Sequence, residues 1–347
     1  MKTLKLKISP ESPEMDKIKQ AAEYIKSGKL VAFPTETVYG LGANALDPYA
    51  VKKIYIAKGR PEDNPLIVHV SSLEMAQSLV VENIDAFEIA HRLWPGPVTL
   101  IFHKSSVVPS IVTAMMQTVG LRFPAHPIAI KLIESSGVPI AAPSANLSGK
   151  PSPTEEWHVV EDLDSRVECI IQGGKTLFGL ESTIIDMTRK KPRLLRPGPV
   201  SPERLKELLP DLVVSEAARA RAKYDGPALS PGMKYRHYSP DVELILVEGN
   251  PFDSFKKIKE IALQSNRKTA ILCSKETEML YGKGFEKIVL GSREDLYIVA
   301  TNLFSTLREL PGKGFDLLIS EAFPEKGIGL AIMNRLRKAA WKVINTD

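Results

Sequence analysis

The sequence predicts an α/β protein in two parts: a mixed twisted-sheet unit, then a linker and a small Rossmann-like parallel-sheet unit. Three observations carry that expectation. The chain has 347 residues, more than one hydrophobic core usually serves. Over the first 210 residues short apolar strands dominate and helices are scattered among them without regular βαβ repetition, whereas from residue 241 strands and helices alternate. Between the two, from Asp211 to Pro240, the pattern breaks in an Ala/Arg-rich piece followed by Ser230-Pro-Gly-Met-Lys-Tyr-Arg-His-Tyr-Ser-Pro240. The expected divisions are therefore 1–210, 211–240 and 241–347.

Met15, Ile18, Ala22 and Ile25 recur at helical spacing and stop at Gly28, and Leu30-Val-Ala-Phe33 follows as a buried strand. Next comes a turn dense in hydroxyls and glycines, Pro34-Thr-Glu-Thr-Val-Tyr-Gly-Leu-Gly42. Asp47-Pro48 then starts a helix, because an Asp side chain accepts from orphan N–H groups while proline at the first position sacrifices none. Val51, Ile54 and Ala57 mark its buried face and Gly59 its left-handed stop. Lys58 and Arg60 flank the point where this helix unwinds, ahead of the strand Pro65-Leu-Ile-Val-His-Val70. Two cations beside a Thr- and Gly-rich loop suggest a polyanion site; a solvated triplet complementing the helix dipole is the plain alternative.

Ile84, Phe87, Ala90 and Leu93 give another helix, closed by Trp94-Pro-Gly-Pro97, and Val98 to Phe102 is a strand. Thr118 to Phe123 reads as a strand whose apolar run Arg122 interrupts. A cation there needs an anion, either an internal carboxylate or a ligand's. His126-Pro127 opens a helix to Gly137, and the strand Val138 to Pro143 empties into a loop that supplies Ser144, Asn146, Ser148 and Ser152. In an α/β fold a loop at a strand's carboxyl end is a favoured ligand site, although such a composition also makes an ordinary polar turn. Strands at Val167 to Ile171, Ser182 to Asp186 and Arg193 to Pro197 and a helix from Pro202 to Leu209 complete the first part. In the second, strands at Val242 to Val247, Thr269 to Cys273, Lys287 to Leu290 and Phe315 to Ile319 alternate with helices near Phe252 to Gln264, Arg293 to Leu307 and Leu330 to Ala340.

Composition narrows the function classes. With 44% hydrophobic and 25% charged residues the chain reads as globular, and no apolar run approaches the ~20 residues of a membrane span. The N-terminus MKTLKLKISPE lacks a signal-peptide core, so a cytoplasmic chain with no membrane partner is expected. Cys169 and Cys273 lie far apart in apolar runs and read as small buried hydrophobes. A net charge of +5 permits contact with phosphates or RNA without requiring it. No G-x-G-x-x-G follows the first strand of the second part and no Walker A sequence occurs, which argues against a dinucleotide site there and against a P-loop. No Ser-His-Asp order or cysteine nucleophile is evident, which suits chemistry without a covalent enzyme intermediate.

Seven motifs in order, Pro34 to Gly42, Lys58-Gly-Arg60, Trp94-Pro-Gly-Pro-Val-Thr99, Leu121-Arg-Phe-Pro124, His126-Pro127, Ser144-Ala-Asn-Leu-Ser-Gly149 and Leu195-Arg-Pro-Gly198, resemble the YrdC/Sua5 family. The length, with Ser230 to Pro240 between the halves, is similar to the longer Sua5 form. The resemblance spans essentially the whole chain, and the C-terminal half is its least diagnostic part. It implies a YrdC-like catalytic domain and a Sua5-type Rossmann-like domain. The implied enzyme is a nucleotidyltransferase that turns L-threonine, bicarbonate and ATP into L-threonylcarbamoyladenylate and pyrophosphate. The product would pass to the threonylcarbamoyl transferase complex that modifies A37 of ANN-decoding tRNAs, the t6A modification, with a possible direct contact to tRNA.

The resemblance also implies site residues. Its K-x-R…S-x-N signature falls on Lys58, Arg60, Ser144 and Asn146 as the catalytic set. Thr35, His69, Arg122, Ser144 and Ser182 would surround L-threonine. Lys58, Arg60, Thr118, Ala142, Asn146, Ser152, Arg196 and His237 would surround ATP, with Mg²⁺ on its phosphates and no recognisable protein metal motif. The residue types suit the chemistry, because an unstable carbamate nucleophile must be positioned and the phosphate charge neutralised. Two other readings compete. A double-stranded RNA or tRNA-binding module without catalysis calls for a dense Lys/Arg stripe with aromatics, whereas the basic residues here are spread along the chain. A simple nucleotide hydrolase would turn over ATP without threonine.

Overall fold

In the computed structural model, which describes residues 2–81, 84–221 and 238–346, the apolar runs pair into two separate sheets. The strands of the first are β1 (Leu4–Lys7), β2 (Val31–Phe33), β3 (Gly40–Asn44), β4 (Ile67–His69), β5 (Val98–His103), β6 (Thr118–Arg122), β7 (Ile140–Ala141), β8 (Cys169–Gln172), β9 (Thr183–Asp186), β10 (Arg193–Arg196) and β11 (Val213–Val214). They lie in the order β1-β8-β2-β3-β7-β4-β6-β5-β9-β10-β11 with parallel and antiparallel pairs mixed. Its helices are α1 (Met15–Lys26), α2 (Pro48–Lys58), α3 (Leu73–Gln77), α4 (Ile84–Leu93), α5 (Pro127–Ser136), α6 (Glu156–Leu163), α7 (Pro202–Leu208) and α8 (Glu216–Arg219).

The second sheet holds β12 (Glu243–Glu248), β13 (Thr269–Ser274), β14 (Glu286–Gly291), β15 (Leu317–Glu321) and β16 (Lys342–Asn345) in the order β14-β13-β15-β12-β16, every pair parallel. The helices α9 (Pro251–Gln264), α10 (Leu296–Gly312) and α11 (Gly329–Ala339) alternate with these strands, as expected. They cover both faces. Leu244 and Leu246 of β12 pack in one cluster with α10 and α11, while Val247 packs in another with Ile258 of α9.

The same two-sided burial explains β2 in the first sheet. Ala32 joins the core beneath α2, whereas Val31 and Phe33 join the core beneath α1 and α5, so the strand reads as an unbroken apolar run. Local chemistry sets α2 as the sequence predicts. Asp47 accepts a hydrogen bond from the Tyr49 N–H at 2.9 Å, Pro48 takes the first position, and Gly59 closes the helix with φ 61°.

The glycine-rich stretch after Val38 departs from expectation: it is strand β3 and not a turn. A Cβ on Gly42 would lie 2.7 Å from Ile140 Cγ2 and 2.8 Å from Phe33 Cε1, so glycine here serves close strand packing. The short strands β1, β11 and β16 and the helices α3 and α6 also went unread. Cys169 in β8 and Cys273 in β13 are buried free thiols, each pushed up to about 12 chiefly by burial. No helix among the described residues is long and apolar enough to cross a membrane.

Candidate active site

Separate segments of the first sheet converge on one open cavity. The turn between β2 and β3 brings Thr35, β4 brings His69, β6 brings Arg122, the loop leaving β7 brings Ala142 and Ser144, and β10 brings Arg196. Arg60 enters from the end of α2 and Ser182 from the residue before β9. These eight expected residues therefore share one wall, together with Glu181 and Tyr238, which the sequence reading did not single out.

Arg122 has an internal carboxylate for a partner and lines the cavity as well. Its Nη2 stands 2.7 Å from the Glu36 carboxylate, with both side chains 4% exposed. Its Nη1 donates to Thr37 Oγ1 at 2.9 Å. The Thr35 hydroxyl in turn donates to the Val38 carbonyl at 2.7 Å and accepts from the Thr37 N–H, so the turn is closed on itself. Glu36 does not line the cavity; it holds Arg122 from behind. His69 is also buried, and its Nδ1 has no hydrogen-bond partner among the described residues. Burial, then the nearby Arg122, lowers its pKa to about 3, so the imidazole is neutral at pH 7.

Lys58 sits one layer behind the wall. Its ammonium donates to the Ser144 carbonyl at 2.5 Å and to the Asn146 carbonyl, while Ser148 N–H donates back to the Lys58 carbonyl at 2.9 Å. Burial, reinforced by Arg60, pushes the Lys58 pKa well below the lysine range. Asn146 completes the knot by accepting from Ser144 Oγ at 2.5 Å and donating to the carbonyls of Leu147 and Lys150. Of the K-x-R…S-x-N residues, Arg60 and Ser144 face the cavity while Lys58 and Asn146 shape the loop.

Arg60 donates to the carbonyls of Asn64 and Pro65, and Arg196 to the carbonyl and hydroxyl of Ser182. Burial lowers each guanidinium to about 10, which leaves both charged at neutral pH. Ser152 lies outside the lining and donates to Glu181 Oε1 at 2.5 Å; Arg335 of α11 donates to Glu181 Oε2 at 2.8 Å. Burial raises the Glu181 pKa, but the charges of Arg335 and Arg196 outweigh it and hold the group at about 2. Thr118 lies at the other end of β6 from Arg122, in a second small cavity with Thr99, Met116 and Ile184 that shares Ile67 with the first. His237 and most of the Ser230 to Pro240 segment lie outside the described residues. The segment's end is placed: Tyr238 lines the cavity and Ser239 N–H donates to the Gly149 carbonyl at 3.0 Å.

Glu181 and Tyr238 each adjoined a motif already in view, and only the fold shows that they face the cavity. Glu36, Thr37, Tyr39 and Gly40 were likewise inside the Pro34 to Gly42 motif without being singled out.

Comparison with known proteins agrees with this architecture. The family profile described as "Telomere recombination" (Sua5/YciO/YrdC) matches residues 23–198, and that described as "Threonylcarbamoyl-AMP synthase, C-terminal domain" matches residues 200–341. The chain is 48% identical to the threonylcarbamoyl-AMP synthase of Pyrococcus abyssi over 93% of its length and 94% of that protein. It is 45% identical to the enzyme of that name from Bacillus subtilis, over 93% and 92% of the two chains. The crystal structure of P. abyssi Sua5 complexed with L-threonine superposes with a TM-score of 0.92 at 46% identity, covering 99% of this chain and 100% of that one. With both profiles in sequence order and likeness along nearly the whole length, the chain belongs to the Sua5/YciO/YrdC family, in the long form that carries the threonylcarbamoyl-AMP synthase C-terminal domain.

Proposed function

We propose that this chain is a threonylcarbamoyl-AMP synthase, a nucleotidyltransferase that joins L-threonine, bicarbonate and ATP into L-threonylcarbamoyladenylate and releases pyrophosphate and water. One observation carries the reading beyond family membership: a single cavity wall bears Arg60, Arg122 and Arg196 from three separate segments, with neutral His69 and the hydroxyls of Thr35 and Ser182 among them. The substrates bring a carboxylate and a triphosphate, and fixed guanidinium forks match both. The related P. abyssi structure is a complex with L-threonine.

In this reading Arg122, steadied by Glu36, takes the threonine carboxylate, and Thr35, Ser144, Ser182 and His69 surround its hydroxyl and amine. His69 contributes a neutral imidazole to this wall. Arg60 and Arg196 take the phosphates, and the loop of Ala142, Ser144, Asn146 and Ser152 borders the nucleotide, with Lys58 fixing that loop from behind. Thr118, in the small cavity beyond Ile67, is assigned to the nucleotide end. The amine adds to bicarbonate with loss of water, a carbamate oxygen attacks the α-phosphorus, and pyrophosphate departs. The chain aligns the groups and offsets charge. Mg²⁺ is proposed to arrive on the triphosphate. Glu181 is the one carboxylate on the described cavity wall, its oxygens already accept from Ser152 and Arg335, and no cluster of three metal-type ligands occurs among the described residues.

The catalytic unit is assigned to residues 1–210, the linker to 211–240, whose first part adds β11 to the first sheet and also holds α8, and the Rossmann-like unit to 241–347. The destination of the product, a transferase complex acting on tRNA A37, places the chain in the cytoplasm, with direct tRNA contact a further part of the same reading. The test is pyrophosphate release by the purified chain. It should require threonine and bicarbonate together, and Arg60→Ala should lower it about 100-fold or more without changing the melting temperature. Release that ignores threonine, or near wild-type turnover by the variant, would overturn the assignment.

A further inference from the structure

The second sheet reaches the first through α10 and α11, and each helix delivers a buried arginine to a carboxylate of the first half. Arg308 of α10, with its side chain 3% exposed, meets the fully buried Asp162 at 2.5 Å and donates to the Pro151 carbonyl at 3.0 Å. Asp162 also accepts from Lys150 Nζ at 3.1 Å and from the Leu147 N–H at 3.3 Å. Arg335 of α11, at 0% exposure, donates to Glu181 at 2.8 Å and to the Pro197 carbonyl at 2.9 Å. Glu181 accepts from Ser152 as well. Two carboxylates of the first half thus tie the loop from Ser144 to Ser152 to the second half, Asp162 through its middle and Glu181 through its end.

We propose that Arg308 and Arg335 are positioning residues for nucleotide binding, so that the second domain takes part in the reaction by holding this loop in shape. The inference rests on the reading that the loop borders ATP. A buried carboxylate that loses its cation must find a proton, water or another partner, and here the nearest movable structure is the loop itself. Apart from Ser144, the threonine end is built differently. Arg122 takes Glu36, Thr37 and Gly96, and Thr35 takes Thr37 and Val38, all within the first half. Loss of either arginine should therefore separate the two substrates, which a general loss of structure would not do.

The experiment uses the full chain with Arg308→Gln and Arg335→Gln, and with Arg308→Lys and Arg335→Lys as charge-keeping forms should the first pair fail to fold. Affinities for MgATP and for L-threonine are measured separately by calorimetry, and amide hydrogen exchange of residues 144–152 is followed with no substrate present. Each glutamine variant is expected to weaken MgATP about tenfold and each lysine variant about threefold, with threonine held within about twofold. Exchange in the loop should rise while that of β2 to β4 stays unchanged. Unaltered MgATP affinity in folded variants, or equal weakening of both substrates, would overturn the proposal. If the wild-type chain bound neither substrate, the functional reading itself would fall, and the ligand-free exchange comparison would still decide whether the arginines hold the loop.

Discussion

Burial forces choices on charged side chains that sequence cannot see. Arg122 demanded an anion wherever it was placed, and that much was legible; that the anion is Glu36, inside a neighbouring motif, emerges only when β6 lies beside the turn after β2. Lys58 makes the same point from the other side, because a lysine next to an arginine reads as a phosphate grip, yet its ammonium is taken by two loop carbonyls. Histidines give the clearest test at this scale. His69 and His158 are buried and lowered to about 3, His69 by burial and then Arg122, His158 by burial and then Arg308. The His158 Nδ1 already accepts from the N–H groups of Thr154 and Glu155. Below the ordinary histidine pKa of about 6.5, the unfolded chain binds protons that the folded chain refuses, so stability rises with pH across that window by about 1.4 kcal/mol per pH unit for each histidine and levels off above it. Urea unfolding from about pH 7 down to about pH 5 should show the fall, and His69→Gln should remove one proton's share of the slope. An unaltered slope in that variant would mean that His69 titrates in the folded chain.

Elements were readable where their signals are local. The start and stop of α2 follow from Asp47, Pro48 and Gly59, three residues whose effects do not depend on the rest of the molecule. Strand β3 shows the converse. Its sequence, Gly-Leu-Gly-Ala-Asn, has the composition of a turn, and only the nearness of Phe33 and Ile140 explains why glycine sits in a strand. Gly42→Ala should accordingly destabilise the fold by about 1–3 kcal/mol through overpacking, measured as a shift in the urea midpoint at constant slope. A change of a few tenths would mean that Phe33 moves aside easily. The same tertiary dependence hides the role of Arg335: the helix near Leu330 to Ala340 is legible, and only the fold shows that it buries Arg335 completely.

At the scale of the molecule, the switch from scattered to alternating elements announced two sheets, and chain length made two cores necessary. How the halves meet was not legible, because the contacts join residues at large sequence separation, among them Arg308 with Asp162, Arg335 with Glu181 and Ser305 with Glu155. The linker's end supplies another contact, with Tyr238 in the cavity wall, 5.1 Å from the Phe304 ring, and Ser239 on Gly149. Deleting Ser230 to Pro240 removes both residues and should lower ATP turnover about tenfold or more, read by pyrophosphate release at saturating threonine. Unchanged kinetics would reduce the segment to a tether.

The two sealed thiols have a practical corollary. With Cys169 and Cys273 shut inside separate sheets and poorly ionised, maleimide reagents find no ready sulfur in the native chain. A cysteine placed at Tyr49, 80% exposed on the helix that leads to Lys58, would then be the preferred attachment point for a fluorophore, without prior removal of any natural residue but that one.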